Sequence, residues 1–295
     1  MKKSPIFRGA ATALITPMTE HGVDYASLGR LIDWQIAQGI DALVIVGTTG
    51  EKSTLKNDEH LEVVRYAVQR AAHRVPIIAG TGSNDTDHAI MMSREACALG
   101  ADALLVVTPY YNKATQNGLI KMYTAIADAA EKPLIVYNVP SRTGVGIEPE
   151  TYAVLADHPN IYGIKEANSD IAKIVKTAAL VGDRLALYSG NDDQIVPIMS
   201  MGGLGVISVL SNIMPKQTSQ LCHRFLDGDI EGSREMQCRF LPLINALFSE
   251  VNPIPVKAAL AAMGYCENYL RLPLTPMEDA HWQKLRVLMQ EQGLI

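Results

Sequence analysis

The sequence predicts an α/β chain: a (β/α)8 barrel followed by a C-terminal helical extension. Three observations carry that expectation. Eight short apolar runs recur along the first two-thirds of the chain. Most are continuous and rich in β-branched residues rather than alternating, as in strands buried on both faces. Segments of helical period separate them, and eight strand-then-helix units close into a barrel more readily than they form a doubly wound sheet.

The runs are Ala10–Leu14, Ala42–Val46, Pro76–Ala79, Ala103–Val107, Leu134–Tyr137, Ile161–Ile164, Leu185–Tyr188 and Gly205–Val209. Between the first two, Leu28, Leu31, Ile32 and Ile36 repeat at helical spacing. Leu61, Val64, Ala67 and Val68 do so after the second run, and Ile171, Ile174 and Val175 after the sixth. Asp24 or Ser27, and Asn84 or Asp85, supply helix N-caps, and Gly39 and Gly100 stand where helices stop. Residues 1–228 form the barrel by this count. Residues 229–295 show no strand pattern, but Met236, Phe240, Leu243, Ile244 and Leu247 share a helical face. Val256, Ala259, Leu260 and Met263 form another, and Trp282, Leu285 and Leu288 a third. No low-complexity linker precedes this extension, so it is expected to pack on the barrel or on a neighbouring subunit.

Composition excludes several classes. Of 295 residues 48% are hydrophobic, ample for a core, so global disorder is ruled out. Lys and Arg (26) are fewer than Asp and Glu (31), with no basic block, so nucleic acid is not an expected partner. Cys97, Cys222, Cys238 and Cys266 lie far apart and read as free buried thiols of a reducing, cytoplasmic compartment. Met1-Lys2-Lys3 followed by Ala10–Ile15 faintly resembles a secretory signal, but Pro5 and Arg8 interrupt it and no cleavage site follows. The uncharged stretch 194–215 could span a bilayer by length. Its glycines, polar residues and Pro197 make it a buried helix, a glycine turn and a buried strand instead, so no membrane association is expected.

Chemistry on a barrel sits at the carboxyl ends of the strands. There the sequence places Gly47-Thr48-Thr49-Gly50-Glu51, Thr108-Pro109-Tyr110-Tyr111, Tyr137-Asn138-Val139-Pro140-Ser141-Arg142, Lys165-Glu166 and Ser189-Gly190-Asn191-Asp192. Lys165 is the sharpest signal. A lysine inside an apolar strand is held toward the neutral amine by desolvation, and a neutral amine can attack a ketone to form a Schiff base. A lysine that snorkels to the rim or pairs with a carboxylate fits its position equally well. Tyr137 could shuttle protons, Thr48 and Thr49 could hold a small carboxylate, and Arg142 could fork onto another. Taken alone, Tyr137 is better explained by half-buried packing and Thr48 and Thr49 by turn and capping chemistry, and Arg142 could equally lie on a solvated rim; the convergence of lysine, tyrosine and threonine on one rim raises the chemical reading. No histidine lies at a strand's carboxyl end, which disfavours a metal-dependent aldolase relative to a lysine imine. No metal site and no nucleotide-binding motif are expected.

Gly47-Thr48-Thr49-Gly50-Glu51, Tyr137-Asn138-Val139-Pro140 with Arg142-Thr143-Gly144, Gly163-Ile164-Lys165-Glu166, Gly205-Val206-Ile207-Ser208-Val209 and Asn252-Pro253-Ile254-Pro255-Val256-Lys257 resemble the dihydrodipicolinate synthase (4-hydroxy-tetrahydrodipicolinate synthase) family over nearly the whole chain. The resemblance implies a lyase acting at the entry to diaminopimelate and lysine synthesis. Lys165 would form an imine with pyruvate, and its enamine would attack L-aspartate 4-semialdehyde, with no cofactor beyond the lysine. Tyr137, Thr48 and Tyr111 would relay protons. Thr49 and the Ile207 backbone would hold the pyruvate carboxylate, and Arg142 that of the semialdehyde. Tyr111 would reach the adjacent subunit of a tight dimer, two dimers making a homotetramer. The same lysine and tyrosine occur in N-acetylneuraminate lyases, but Thr48 beside Thr49 and the Arg142-Thr143-Gly144 turn favour the synthase. A non-catalytic barrel that senses a keto acid is a second class, opposed by the intact Lys165, Tyr137, Thr48 and Arg142.

The sequence departs from the lysine-inhibited members of that family. Lys52 stands where they carry serine, Asn57 where they carry histidine and His88 where they carry glutamate, while Asn84 and Tyr110 match. A cation at 52 should repel bound lysine, and no carboxylate at 88 receives its ammonium. Weak or absent inhibition by lysine is the expectation; a rearranged pocket with ordinary interface substitutions is the alternative.

Overall fold

A computed structural model describes residues 3–295. Its strands are β1 (Gly9–Ala13), β2 (Met18–Thr19), β3 (Gly22–Val23), β4 (Ala42–Ile45), β5 (Ile77–Gly80), β6 (Ala103–Val107), β7 (Leu134–Asn138), β8 (Ile161–Glu166), β9 (Ala186–Ser189) and β10 (Gly205–Ser208). Its helices are α1 (Tyr25–Ala37), α2 (Asn57–Ala71), α3 (Thr86–Ala98), α4 (Gln116–Ala129), α5 (Pro140–Thr143), α6 (Pro149–Leu155), α7 (Ile171–Val181), α8 (Ile195–Ser200), α9 (Pro215–Leu226), α10 (Ile230–Leu247), α11 (Ile254–Ala262) and α12 (Asp279–Glu291). Eight strands close a barrel in the order β1-β10-β9-β8-β7-β6-β5-β4. All eight pairings are parallel.

Each apolar run is a barrel strand to within a residue or two, because continuous burial suits strands covered inside and out. Alternate side chains divide between two cores. Ala11, Ala42, Val44, Ile78, Leu105, Ile135 and Ile207 fill the barrel. Leu43, Ile45, Ala79, Leu104, Val136 and Ile164 face the helices. Asp24 and Asp85 cap α1 and α3, their carboxylates accepting first-turn backbone N–H groups. The β2–β3 hairpin, two residues a side, is too short to have shown a strand pattern. The 194–215 stretch is α8, a turn at Gly202 and β10. Among the described residues no helix is long and apolar enough to cross a membrane. In the Met1-Lys2-Lys3 reading, Met1 and Lys2 lie outside the described residues, and Ala10–Ala13 belongs to β1.

Two expectations need correction. Cys97 and Cys222 are buried and all four cysteines are free, but Cys238 is exposed and Cys266 half-buried. Cys238 lies on the side of α10 opposite the buried Phe240, Leu243 and Ile244, so helical phase puts it in water. On α7, Ile171 and Val175 are exposed, and the buried stripe is Ile174, Thr177 and Val181.

The C-terminal helices pack back on the barrel. Met236, Phe240, Leu243, Ile244 and Leu247 of α10 are buried in the outer core. The tightest tie is polar: Lys257 on α11 pairs with Glu51 in the loop after β4, with both side chains essentially inaccessible (0% and 1%). Glu51 also accepts the Arg271 N–H, and the Arg271 guanidinium spans both oxygens of Glu59. Removing one member of a buried pair strands the other's charge. Lys257→Met is therefore expected to cost about 3–5 kcal/mol in a urea unfolding titration. Adding Glu51→Gln should recover part of that loss; no recovery would show that the ammonium contributes through packing alone.

Candidate active site

The register of β8 decides what enters the barrel. Leu134 pairs with Ile161, but Ile135 pairs with Gly163, so Tyr162 is an extra residue in β8. Ile161 faces the helices, and such a bulge reverses the parity of everything after it. Gly163 and Lys165 thereby point inward, and Lys165 falls opposite Tyr137 on β7 and Tyr188 on β9. Gly163 suits the site because a Cβ there would lie 2.9 Å from the Ala186 carbonyl oxygen and 3.3 Å from the Tyr188 ring.

Lys165 is 6% exposed, and its Nζ lies 4.2 Å from the centre of the Tyr137 ring. Burial lowers its pKa from the ordinary lysine value to about 7. The nearby Arg142 charge adds to that fall, while Asp192 opposes it. A large share of the amine is therefore neutral near pH 7, as a nucleophile requires. Tyr137 is buried, which raises its pKa; Arg142 and a hydrogen bond with Thr48 pull the other way. Thr48 in turn lines a cavity of about 240 Å³, together with Arg142, Tyr110, Val139 and Thr143.

The loop after β4 is held open by strained backbone. Val46 has φ +52° and Glu51 φ +55°, the left-handed region that a β-branched residue rarely enters. Thr49, inside this loop, is buried, and its Oγ1 accepts from Asn252 Nδ2 at 3.0 Å. The Asn252 carbonyl also receives Arg142 Nη2 at 3.5 Å, so the C-terminal extension touches two site residues. Ile207 lies in the inner core on β10, whose ladder to β9 ends at Val206–Ser189.

Tyr111 is not brought into this cavity. It stands 93% exposed at φ +70°, on the loop after β6. Lys52, Asn57, His88 and Tyr110 do come together, lining a second cavity, and Asn84 Nδ2 donates to the Tyr110 carbonyl at 3.1 Å.

Three further residues at or beside the site carry no role in the sequence reading. Asp192 is buried, and its Oδ2 accepts the Val209 and Leu210 N–H groups, each at 2.9 Å. Its other oxygen is buried without a partner among the described residues. Glu166 faces away from the barrel axis and receives Asn138 Nδ2 at 2.9 Å and Tyr152 Oη at 3.0 Å. Burial raises its pKa to about 7 against the pull of those bonds. Asn252 shows only as part of a tail motif until the fold brings it to Thr49.

The chain matches the Dihydrodipicolinate synthetase family over residues 6–292. It belongs to that family. The 4-hydroxy-tetrahydrodipicolinate synthase of Lachnoclostridium phytofermentans is 55% identical over 292 residues, covering 98% of this chain and 99% of that one. Among solved structures, a monomeric dihydrodipicolinate synthase variant superposes with a TM-score of 0.97 at 44% identity, covering 98% of each chain. The chloride-inhibited dihydrodipicolinate synthase of Acinetobacter baumannii, complexed with pyruvate, does so with 0.96 at 45% identity, covering 98% of this chain and 99% of that one.

An amine desolvated in this way has a definite pH signature if it acts as a nucleophile. Borohydride trapping of Lys165 with pyruvate should accelerate as pH rises through about 7, the value to which burial lowers the amine. Asp192 holds that value up, so Asp192→Asn should move the midpoint to lower pH. A midpoint near the ordinary lysine value would show that the amine is not desolvated during the reaction.

Proposed function

We propose that the chain is a lyase that condenses pyruvate with L-aspartate 4-semialdehyde, at the entry to diaminopimelate and lysine synthesis. The observation that carries the proposal is the buried, depressed-pKa Lys165 beside Tyr137 on a family barrel. The full-length likeness to 4-hydroxy-tetrahydrodipicolinate synthases supplies the substrates.

Lys165 Nζ attacks the pyruvate ketone, and the carbinolamine loses water to give the imine. Tyr137 would protonate the departing hydroxyl, with Thr48 returning a proton to the Tyr137 phenolate. Thr49, held by Asn252, and the backbone at Ile207 receive the pyruvate carboxylate. Loss of a methyl proton then gives the enamine, whose carbon attacks the semialdehyde. Arg142 binds that second substrate's carboxylate at the cavity wall. The semialdehyde amine displaces Lys165 by transimination, closing the ring and freeing the enzyme. The covalent imine takes the place of a cofactor in this scheme.

The exposed Tyr111 fits a role across a subunit boundary, where it would join the Tyr137–Thr48 relay of an adjacent chain in a tight dimer, two dimers forming a tetramer. Lys52 and His88 in the second cavity support weak or absent inhibition by lysine.

Turnover with pyruvate and L-aspartate 4-semialdehyde, but not with pyruvate and N-acetylmannosamine, is expected, and Lys165→Ala should abolish it. Tyr137→Phe should lower kcat about a hundredfold or more. Arg142→Ala should raise KM for the semialdehyde about 10- to 100-fold while leaving imine trapping with pyruvate intact. Turnover with the sugar alone would overturn the choice of acceptor. Imine trapping without turnover on either would favour a keto-acid sensor. L-lysine should leave initial rates unchanged; cooperative inhibition at millimolar or lower concentration would overturn that reading.

A further inference from the structure

Behind the Lys165–Tyr137 pair lies a second pair. Tyr137 and Lys165 are register partners that face the barrel interior, and Asn138 and Glu166 are register partners one residue on. Side chains alternate along a strand, so Asn138 and Glu166 face the helical layer. Both are buried, at 0% and 2% exposure. Asn138 Nδ2 donates to Glu166 Oε1 at 2.9 Å. The same oxygen accepts the Asn168 N–H at 2.8 Å, and Oε2 accepts the Tyr152 hydroxyl at 3.0 Å.

The other end of the Asn138 side chain closes a loop. Its Oδ1 accepts the Ile147 N–H, nine positions along the chain, at 3.2 Å. The segment between them holds α5, and it sets Arg142 and Thr143 on the wall of the substrate cavity. Gln116 on α4 holds the exit of this loop from outside, at Gly146 and Glu148. Asn138 fastens the exit to the strand that carries Tyr137. That tie works in one orientation only, because an amide has one donor end and one acceptor end and the Ile147 N–H needs the oxygen. Glu166 fixes the orientation by holding an acceptor toward Nδ2. Turned round, the amide would set oxygen against Glu166 Oε1 and nitrogen against the Ile147 N–H.

We propose that Glu166 and Asn138 are positioning residues for the second substrate: they set the closed loop that carries Arg142, and through it the grip on the semialdehyde carboxylate, an inference that rests on Arg142 binding that group. Glu166 acts here as an acceptor rather than as a charge. Burial raises its pKa to about 7, and the acid, like the carboxylate, keeps an oxygen for Asn138. The lowered Lys165 pKa comes from burial and Arg142 against Asp192, so the pair bears on the second substrate and not on imine formation.

Kinetics of the intact enzyme test this, with borohydride trapping of the pyruvate imine as the parallel readout. Asn138→Leu keeps the shape and removes both ends of the tie. It should raise KM for L-aspartate 4-semialdehyde about tenfold or more and leave trapping unchanged. Glu166→Gln keeps an oxygen toward Asn138 and can donate to the Tyr152 phenol, so its KM should stay within about threefold. Asn138→Asp faces one carboxyl with another. A shared proton closes the tie at about pH 7, and its loss toward about pH 9 opens it, so KM should rise with pH in this variant alone. That series decides the matter if Asn138→Leu does not fold, and a flat profile would overturn the proposal. So would an equal loss of imine trapping in Asn138→Leu, which would place the effect on Lys165 and Tyr137. An unchanged KM in Asn138→Leu beside a raised one in Arg142→Ala would overturn the positioning role alone. An unchanged KM in Arg142→Ala would overturn the acceptor reading beneath it.

Discussion

The extra residue at Tyr162 governs the chemistry of this barrel. A strand alternates its side chains, and Ile161 faces outward into the helical layer. Without the bulge, Lys165 would face the same way, into the layer that holds Tyr152, and Glu166 would take its place inside the barrel. The one-residue slip turns it inward, opposite Tyr137 and beside Tyr188. The lowered pKa follows from that placement, since the barrel interior desolvates the amine. Gly163 makes the slip possible by bringing the strand close to the Ala186 carbonyl.

The barrel alone does not complete the site. The loop after β4 carries Thr48 and Thr49 on backbone that a free chain would avoid, with Val46 and Glu51 in the left-handed region. Its counterweight comes from the far end of the chain. Lys257 pairs with Glu51, and Asn252 bonds to Thr49, so the C-terminal extension braces the loop at two points. Remote helices therefore bear on the position of the Thr49 hydroxyl.

Much of this was legible in the residues. Eight runs gave eight strands because double-sided burial leaves a continuous apolar signature. Lys165 stood out because an ionisable group directly follows one of those runs, inside the strand, and Tyr137 because it ends the neighbouring run. The bulge was not legible: Tyr162 is as acceptable in a regular strand as in a slipped one, and only the register with β7 reveals it. Asp192 resembled any acidic loop residue until its burial against the Val209 and Leu210 amides emerged. Asn252 lies 203 residues from Thr49, a separation no local pattern spans. Cys238 was misjudged because residue type is a weak guide to helical phase.

The ring of Tyr188 stacks on Phe7 at 4.3 Å and 11°, and its phenol donates to the Phe7 carbonyl at 2.8 Å. Phe7 precedes β1, and Tyr188 falls opposite Lys165 in the register of β8 and β9. One ring therefore ties the segment that leads into the first strand to the level of the lysine, so a change before β1 would be felt at the amine through a single side chain.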